Sequence, residues 1–403
     1  MTFEELTLAL GVEDHAPLPE GYYPAPKERE GELCSLELID RLHEKFNLYG
    51  EYYEAVRRGF LDLENDPLRK AYLDSVSLYF KDSPMKPLRK LKYPQSVGTP
   101  ASDMLPFLVH LPSVERTYEI YRERGFTHEE ALASLEIFQI YIREEEHYRT
   151  RIVGVSRPIS GWMCQFTKGE MFYLGRGGLN FQPIRLSDKA PYFLRNKKSG
   201  ALQPVFGTAF PVHKSGLPLG CVGAEEEGGS FLAEFEETET EYIGYPSDSR
   251  KISLEKKAFS KEEWTLAISP GDAVISTHIF WDADFSPETV EKAFTEGVAR
   301  AKACYPEYDF KALYCCSWLM SPEINDALGE KSKLSMFSAR FTRYPMKSAG
   351  KAVFGYVFPG CSADSLEALP ENTGLQRAFK KILLSGGHIF ETPGLMLIAD
   401  HFE

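Results

Sequence analysis

Residues 271–320 constrain the fold of this chain more than any other stretch. They read GDAVISTHIF, WDADFSPETVEKAFTEGVARAKACYPEYDF and KALYCCSWLM. A short apolar run ends in a histidine, an amphipathic helical pattern follows, and a second apolar run ends in Cys-Cys-Ser-Trp. Two strands joined by a helix lie parallel, because the crossover returns the chain to the end of the sheet from which it started. Both strands then end at one edge of the sheet, where binding and chemistry usually sit. This β-α-β unit marks the place to look for a site.

The rest of the composition bounds the answer. The 403 residues suffice for two or three domains, and contents of 43% hydrophobic and 13% aromatic residues supply real cores. A net charge of −13 argues against a nucleic-acid or anionic-membrane partner, whose affinity comes from clustered Lys and Arg. No apolar run approaches the roughly 20 residues that span a bilayer. The N-terminal MTFEELTLALGVED is acidic and lacks the basic and apolar regions of a signal peptide. The seven cysteines are scattered and form no CxxC pair, so neither a zinc site nor a disulfide framework is expected. These features predict a reduced, cytoplasmic protein without a metal.

Periodicity divides the chain near Val155. Before it, apolar residues recur at helical steps. Leu36, Ile39, Leu42 and Phe46 mark one helix, and Asp66-Pro67 supplies a cap and a first-turn proline for the next. A proline-rich connection covers 84–106. Ser113 opens a helix that Gly125 closes, and Thr127-His-Glu-Glu130 is a capping box for a helix running to about Arg151. Beyond Val155 the chain shows short β-like runs and many glycines. Strands are expected at 171–174, 179–184, 231–235, 242–245, 274–280, 311–316, 334–341, 352–358 and 388–398. Ser260-Lys-Glu-Glu263 reads as a capping box for a helical turn at Trp264, Ser286-Pro287 starts the clearest helix, and Thr373 caps the last one. The acidic stretch 225–241 reads as a solvated strand pair. The expected fold class is α+β: an all-helical N-terminal domain over 1–154, then a domain over 155–403 with a mixed, mostly antiparallel sheet and flanking helices.

Five runs carry a family resemblance: FYLGRGGLNFQ at 172–182, EEWTLAISPGDAVISTHI at 262–279, YPEYDFKALYCCSWLM at 305–320, SKLSMFSARFTRY at 332–344 and LPENTGLQRAFKKILLSGGHI at 369–389. Their order and spacing resemble those of bacterial acyltransferase-domain proteins. These pair a helical N-terminal acyltransferase domain with a C-terminal domain related to the GNAT superfamily of N-acetyltransferases. The resemblance spans about 230 residues and implies a GNAT-like fold. By analogy it implies acyl transfer from acyl-CoA or acetyl-CoA to an amine of a small molecule or peptide. It also implies a cofactor strand at 274–280 and a pyrophosphate-receiving helix start, so Phe280, Trp281, Ser286 and Thr289 are the implied cofactor-binding residues. The chain departs from the superfamily at the loop between them. Arg/Gln-x-x-Gly-x-Gly/Ala is replaced by Trp281-Asp-Ala-Asp-Phe-Ser-Pro287, which sets two aspartates toward a pyrophosphate.

Several side chains carry candidate chemistry. His278 is the candidate base, since an imidazole titrates near neutral pH; the alternative is a core histidine with both nitrogens satisfied. Cys316 and Ser317 are the other candidate catalytic residues, as donors or as part of the acyl site. Alternation puts Cys315 and Ser317 on one strand face and Cys316 on the other. A Cys–His or Ser–His pair would permit a covalent acyl-enzyme, whereas buried cysteines more commonly just pack. Gly175-Arg176-Gly177-Gly178 reads as a hairpin turn, not a phosphate loop, because no helix follows it. His388 reads as a turn residue, and Glu144-Glu145-Glu146-His147 as a solvated helix face. Two further readings compete with acyl transfer: a non-catalytic binding or regulatory module that has lost the pyrophosphate loop, and a Cys/Ser–His hydrolase built on the same strand ends.

Overall fold

A computed structural model describes residues 1–82, 91–94, 102–226 and 228–402. The expected proline-rich connection at 84–106 lies in large part outside them. The chain divides into two compact units, Met1–Gly175 and Arg176–Glu403. No helix among the described residues is long and apolar enough to cross a membrane.

The first unit is helical, with α1 Phe3–Ala9, α2 Leu36–Phe46, α3 Tyr53–Glu64, α4 Pro67–Asp82, α5 Leu105–Leu108, α6 Val114–Glu123, α7 His128–Leu135, α8 Ile137–Glu144 and α9 Arg157–Thr167. The predicted caps are in place. The Asp66 side chain accepts the N–H groups of Leu68 and Arg69, each at 3.1 Å. Thr127 and Glu130 close a reciprocal capping box. The helix expected to run on to Arg151 is interrupted: α7 and α8 are separate, and a π-helical turn, Glu145–Arg149, follows. Glu144 and Glu145 are buried, at 4% and 1% exposed, and lie beside Arg149. The face read from sequence as solvated is therefore partly internal. A pair of short parallel strands, β1 Ser102–Asp103 and β2 Val153–Gly154, belongs to this unit together with β3 Phe172–Tyr173.

Within this unit His110 is fully buried, with Nε2 2.8 Å from the Ser160 hydroxyl. Burial, helped by the Lys168 charge, lowers its pKa to about 3. The unfolded chain, with an ordinary histidine, binds a proton below about pH 6.5 that the folded chain refuses until about pH 3. Stability is therefore full above pH 6.5 and falls as pH drops through that window. The loss from His110 amounts to about 3 kcal/mol by pH 4. Thermal melting from pH 7 to 4 should show a shallower decline in His110→Gln than in the unsubstituted protein. Parallel declines would show that His110 does not contribute.

The second unit holds two sheets. One contains β4 Leu179–Arg185, β13 Ala273–Ile279, β14 Ala312–Ser317, β16 Thr392–Leu397 and β15 Thr342–Arg343, in the order β4-β13-β14-β16-β15. Only β13 and β14 are parallel, and α10 Pro287–Cys304 makes the crossover between them. The other sheet is antiparallel, in the order β11-β10-β6-β5-β12: Lys257–Ser260, Glu241–Pro246, Leu202–Phe206, Tyr192–Asn196 and Trp264–Ile268. Hairpin β7 Phe210–Val212 with β8 Phe231–Ala233, and the short β9 Glu236–Glu237, flank it. Both β9 glutamates are exposed, in keeping with a solvated acidic stretch. One apolar core joins the two sheets: Phe193, Phe206 and Ile268 pack with Val274, Ala312 and Leu395. On the opposite face of the first sheet, α10 approaches so closely that a Cβ on Gly297 would lie 2.4 Å from the Phe181 ring.

Three expectations fail here. Residues expected as strands at 334–341 and 352–358 form the helices α12 Lys333–Ser338 and α13 Ala352–Tyr356. A short apolar run fits either state, and the Ser332 hydroxyl decides the first by accepting the Ser335 N–H. The turn expected to start a helix at Trp264 instead joins β11 to β12. Glu263 N–H bonds the Ser260 carbonyl at 3.1 Å, and Trp264-Thr265-Leu266 then pairs with β5. Strands β5 and β6, which sequence alone did not indicate, form the middle of that sheet. The remaining helices are α11 Pro322–Leu328, α14 Gly374–Leu384, which Thr373 caps as expected, and α15 Ile398–His401.

Candidate active site

The site lies where the parallel pair comes apart. β13 and β14 are in register from Val274 opposite Ala312 to Thr277 opposite Cys315. Beyond that point each strand keeps only its outer partner. β13 stays paired with β4 as far as Ile279 opposite Leu179, and β14 with β16 as far as Ser317 opposite Thr392. The parallel ladder thus ends two residues before either strand does, opening a split between them.

His278 is the first β13 residue past the split. Alternation places Ser276, Tyr314 and Cys316 on its face, together with Gln182 and Asn180 of β4, which stand opposite Ser276 and His278. His278 Nε2 lies 3.1 Å from Gln182 Oε1 and 3.3 Å from Ser276 Oγ. The carboxamide oxygen only accepts, so Nε2 carries the proton and Nδ1 is the basic nitrogen. Burial of the ring lowers the pKa to about 4, which leaves the imidazole neutral at physiological pH.

The other predicted residues are placed as follows. Cys316 shares the His278 face, and its thiol donates to Met346 Sδ at 3.3 Å. Burial pushes its pKa up to about 11, so it is a thiol, not a thiolate, near neutrality. Cys315 is fully buried on the opposite face, its thiol also raised by burial. Ser317 Oγ accepts the Leu319 N–H at 3.2 Å and caps the short 3-10 turn Trp318–Met320. His388 is exposed at the end of α14, beside Phe390. Among the described residues no group of three or more His, Cys, Asp or Glu is placed to hold a metal ion.

The loop between β13 and α10 is built around Asp284. Its carboxylate accepts the Ser286 N–H at 2.9 Å, the Ser286 hydroxyl at 2.6 Å and the Thr289 hydroxyl at 2.8 Å, with Lys333 at 3.5 Å. Those bonds, the Ser286 hydroxyl foremost, hold it well below the usual carboxylate range. An exposed anion of the protein's own therefore sits just ahead of α10, and it engages both Ser286 and Thr289. Phe280 is buried and Trp281 is 37% exposed. The glycine segment before β4 braces this loop: the Gly178 carbonyl accepts the Phe280 N–H at 2.8 Å and the Gly177 carbonyl accepts that of Asp284 at 3.1 Å. Arg176 is ion-paired with Glu296 of α10 at 2.5 Å.

Sequence reasoning located His278 and the strand ends but missed Gln182, Ser276 and Asn180. Gln182 and Asn180 lie in the FYLGRGGLNFQ run, and only the register of β4 on β13 brings them to the histidine.

The GNAT-like C-terminal domain family profile matches residues 171–396. No curated protein matches the chain. Among solved structures, an acyltransferase mutant in complex with octanoyl-CoA is similar at 15% identity, covering 98% of this chain and 99% of its own, with a TM-score of 0.58. An acyltransferase in complex with CoA and 10C-teicoplanin is similar at the same identity and coverage, with a TM-score of 0.57. One with decanoyl-CoA and teicoplanin gives a TM-score of 0.55. The likeness in fold thus extends over the helical unit as well as the matched domain.

Proposed function

Since this chain belongs to the family of proteins with a GNAT-like C-terminal domain, we propose that it transfers an acyl group from an acyl-coenzyme A thioester to an amine of a small molecule or peptide. The observation that carries this reading is the split: two parallel strands whose ladder ends at Thr277 and Cys315 while both continue with outer partners. An extended pantetheine arm fits such a gap as an added strand, with backbone groups as its partners. The solved neighbours in complex with octanoyl-CoA and with decanoyl-CoA support a donor with a medium acyl chain, and those with teicoplanin support a peptide-like acceptor.

In the proposed reaction the amine nitrogen attacks the thioester carbonyl carbon. A C–N bond forms and the C–S bond breaks. His278 Nδ1 accepts the proton that the nitrogen loses, and the departing thiolate takes one from solvent. A base with a pKa near 4 is too weak to deprotonate a free ammonium. It accepts the proton once bond formation to carbon has made that N–H acidic. Cys316 lines the site as a neutral thiol, and Ser317 shapes the strand end through its turn. Phe280 and Trp281 border the donor, while Ser286 and Thr289 hold the loop through Asp284. The free cysteines suit a reducing compartment, and the cytoplasm is where we place the reaction.

One observation favours the non-catalytic alternative: the Asp284 carboxylate already occupies donors ahead of α10 that a pyrophosphate would approach. A single experiment separates the two. Binding to the folded state alone raises the melting temperature by mass action, about 2.7 kcal/mol of stabilisation at a ligand concentration 100 times Kd. Acyl-CoA thioesters of increasing chain length, at about millimolar concentration, are expected to raise it in a length-dependent way. No shift with any thioester would establish the module reading instead.

A further inference from the structure

Asn180 stands on β4 directly opposite His278 on β13 and is 1% exposed. Its side-chain oxygen is buried and has no hydrogen-bond partner among the described residues. Buried carboxamide oxygens are nearly always satisfied, because leaving one dry and unpaired forfeits its hydration. On this sheet face Ser276 and Gln182 are committed to His278 Nε2. Asn180 Oδ1, opposite the same histidine, is committed to none of the described residues.

A buried acceptor without a protein partner among the described residues, beside a base, fits a ligand that brings an N–H. In the reaction proposed above, on which this inference rests, two groups bring one: the amides of the pantetheine arm and the attacking amine. A pantetheine arm between β13 and β14 meets strand backbone in the plane of the sheet. Asn180 lies on β4, one strand removed from that gap, and its side chain stands off the sheet face beside His278. The position matches the acceptor, not the donor.

We propose that Asn180 is a specificity-determining residue that selects a primary amine as the acyl acceptor. A neutral primary amine has two hydrogens and one lone pair. One N–H goes to Asn180 Oδ1, the second is the proton that His278 Nδ1 takes, and the lone pair is left to attack the thioester carbon. An alcohol has a single hydrogen, which the base takes, so Asn180 stays unpaired. A site that buries an unpaired polar group against the wrong substrate discriminates strongly.

The test is Asn180→Leu, close in shape and without the oxygen. Four quantities are read: the melting temperature, the Kd for coenzyme A by calorimetry, and KM and kcat with octanoyl-CoA. Glucosamine, ethanolamine and glycinamide serve as probe amines. The variant is expected to melt roughly 2–4 °C higher, since an unsatisfied group has gone. It should bind coenzyme A within twofold of the unsubstituted protein and show an amine KM at least tenfold higher. A lower melting temperature would mean that the carboxamide is partnered in the free protein, and overturns the proposal. Coenzyme A bound tenfold more weakly would assign Asn180 to the pantetheine arm, and overturns it too. These two arms decide the matter even if no probe amine is turned over, and Asn180→Val serves if the leucine variant does not fold. Absence of coenzyme A binding by the unsubstituted protein would remove the acyl-transfer reading and this inference together. Normal coenzyme A binding with an unchanged amine KM removes the inference alone.

Discussion

His278→Ala is expected to lower kcat/KM for acyl transfer by about 10²–10⁴-fold, the usual worth of a positioned proton acceptor. Binding of the donor should be little changed, because the pantetheine path depends on strand backbone, not on the imidazole. The pH profile supplies an independent check. With a folded-state pKa of about 4, the imidazole is neutral from about pH 5 upward. The unsubstituted protein should therefore show no inflection from this histidine near pH 6.5. Its rate should fall with pH as the acceptor amine is protonated, and a further, steeper fall from this imidazole should appear only as pH approaches 4. Activity of the alanine variant within twofold of the original would take His278 out of the mechanism.

Gly178→Ala should cost about 2–5 kcal/mol of stability and weaken acyl-CoA binding as well. Two physical effects add. Gly178 has φ +69°, a left-handed conformation that penalises a side chain by about 1–2 kcal/mol. A Cβ there would also lie 2.7 Å from the Ala283 Cα, so the loop ahead of α10 must shift, at a further cost of about 1–3 kcal/mol. That loop carries Phe280 and Trp281 on one side and Asp284 on the other. Gly386→Ala is the matched control: φ is +79°, but no described residue lies within 4 Å of the added carbon. Melting curves should separate the two variants by several degrees. Equal losses would show that the Ala283 contact yields freely.

What the sequence revealed was local chemistry. The Asp66-Pro67, Thr127 and Thr373 caps are legible because a cap and the N–H groups it satisfies lie within three residues of each other. His278 and the 312–317 strand were legible because the β-α-β unit is continuous in sequence. Gln182 and Asn180 were not, because their proximity to His278 depends on the pairing of β4 with β13, and no local pattern encodes register across so long an interval. The helices at 333–338 and 352–356 were missed because five or six apolar-rich residues are too few to distinguish a period of 3.6 from one of 2. At Trp264 the Ser-x-x-Glu motif was real, but its serine closes a reverse turn and aromatic and β-branched neighbours then favour a strand.

The register of β4 on β13 reaches beyond the site. Arg185, where the chain leaves the first sheet, stands opposite Ala273, where it returns. Everything between them, the whole second sheet and its hairpin, is thus an insertion whose two ends emerge side by side from one antiparallel stem. Such a stem is a natural graft point, at which loops can be lengthened or exchanged without moving His278, Gln182 or Asn180. The shared core sets the limit on this freedom: complete excision would strip the cover from Val274, Ala312 and Leu395. Evolution and protein engineering alike can redecorate this module, but neither can delete it and keep the site strands folded.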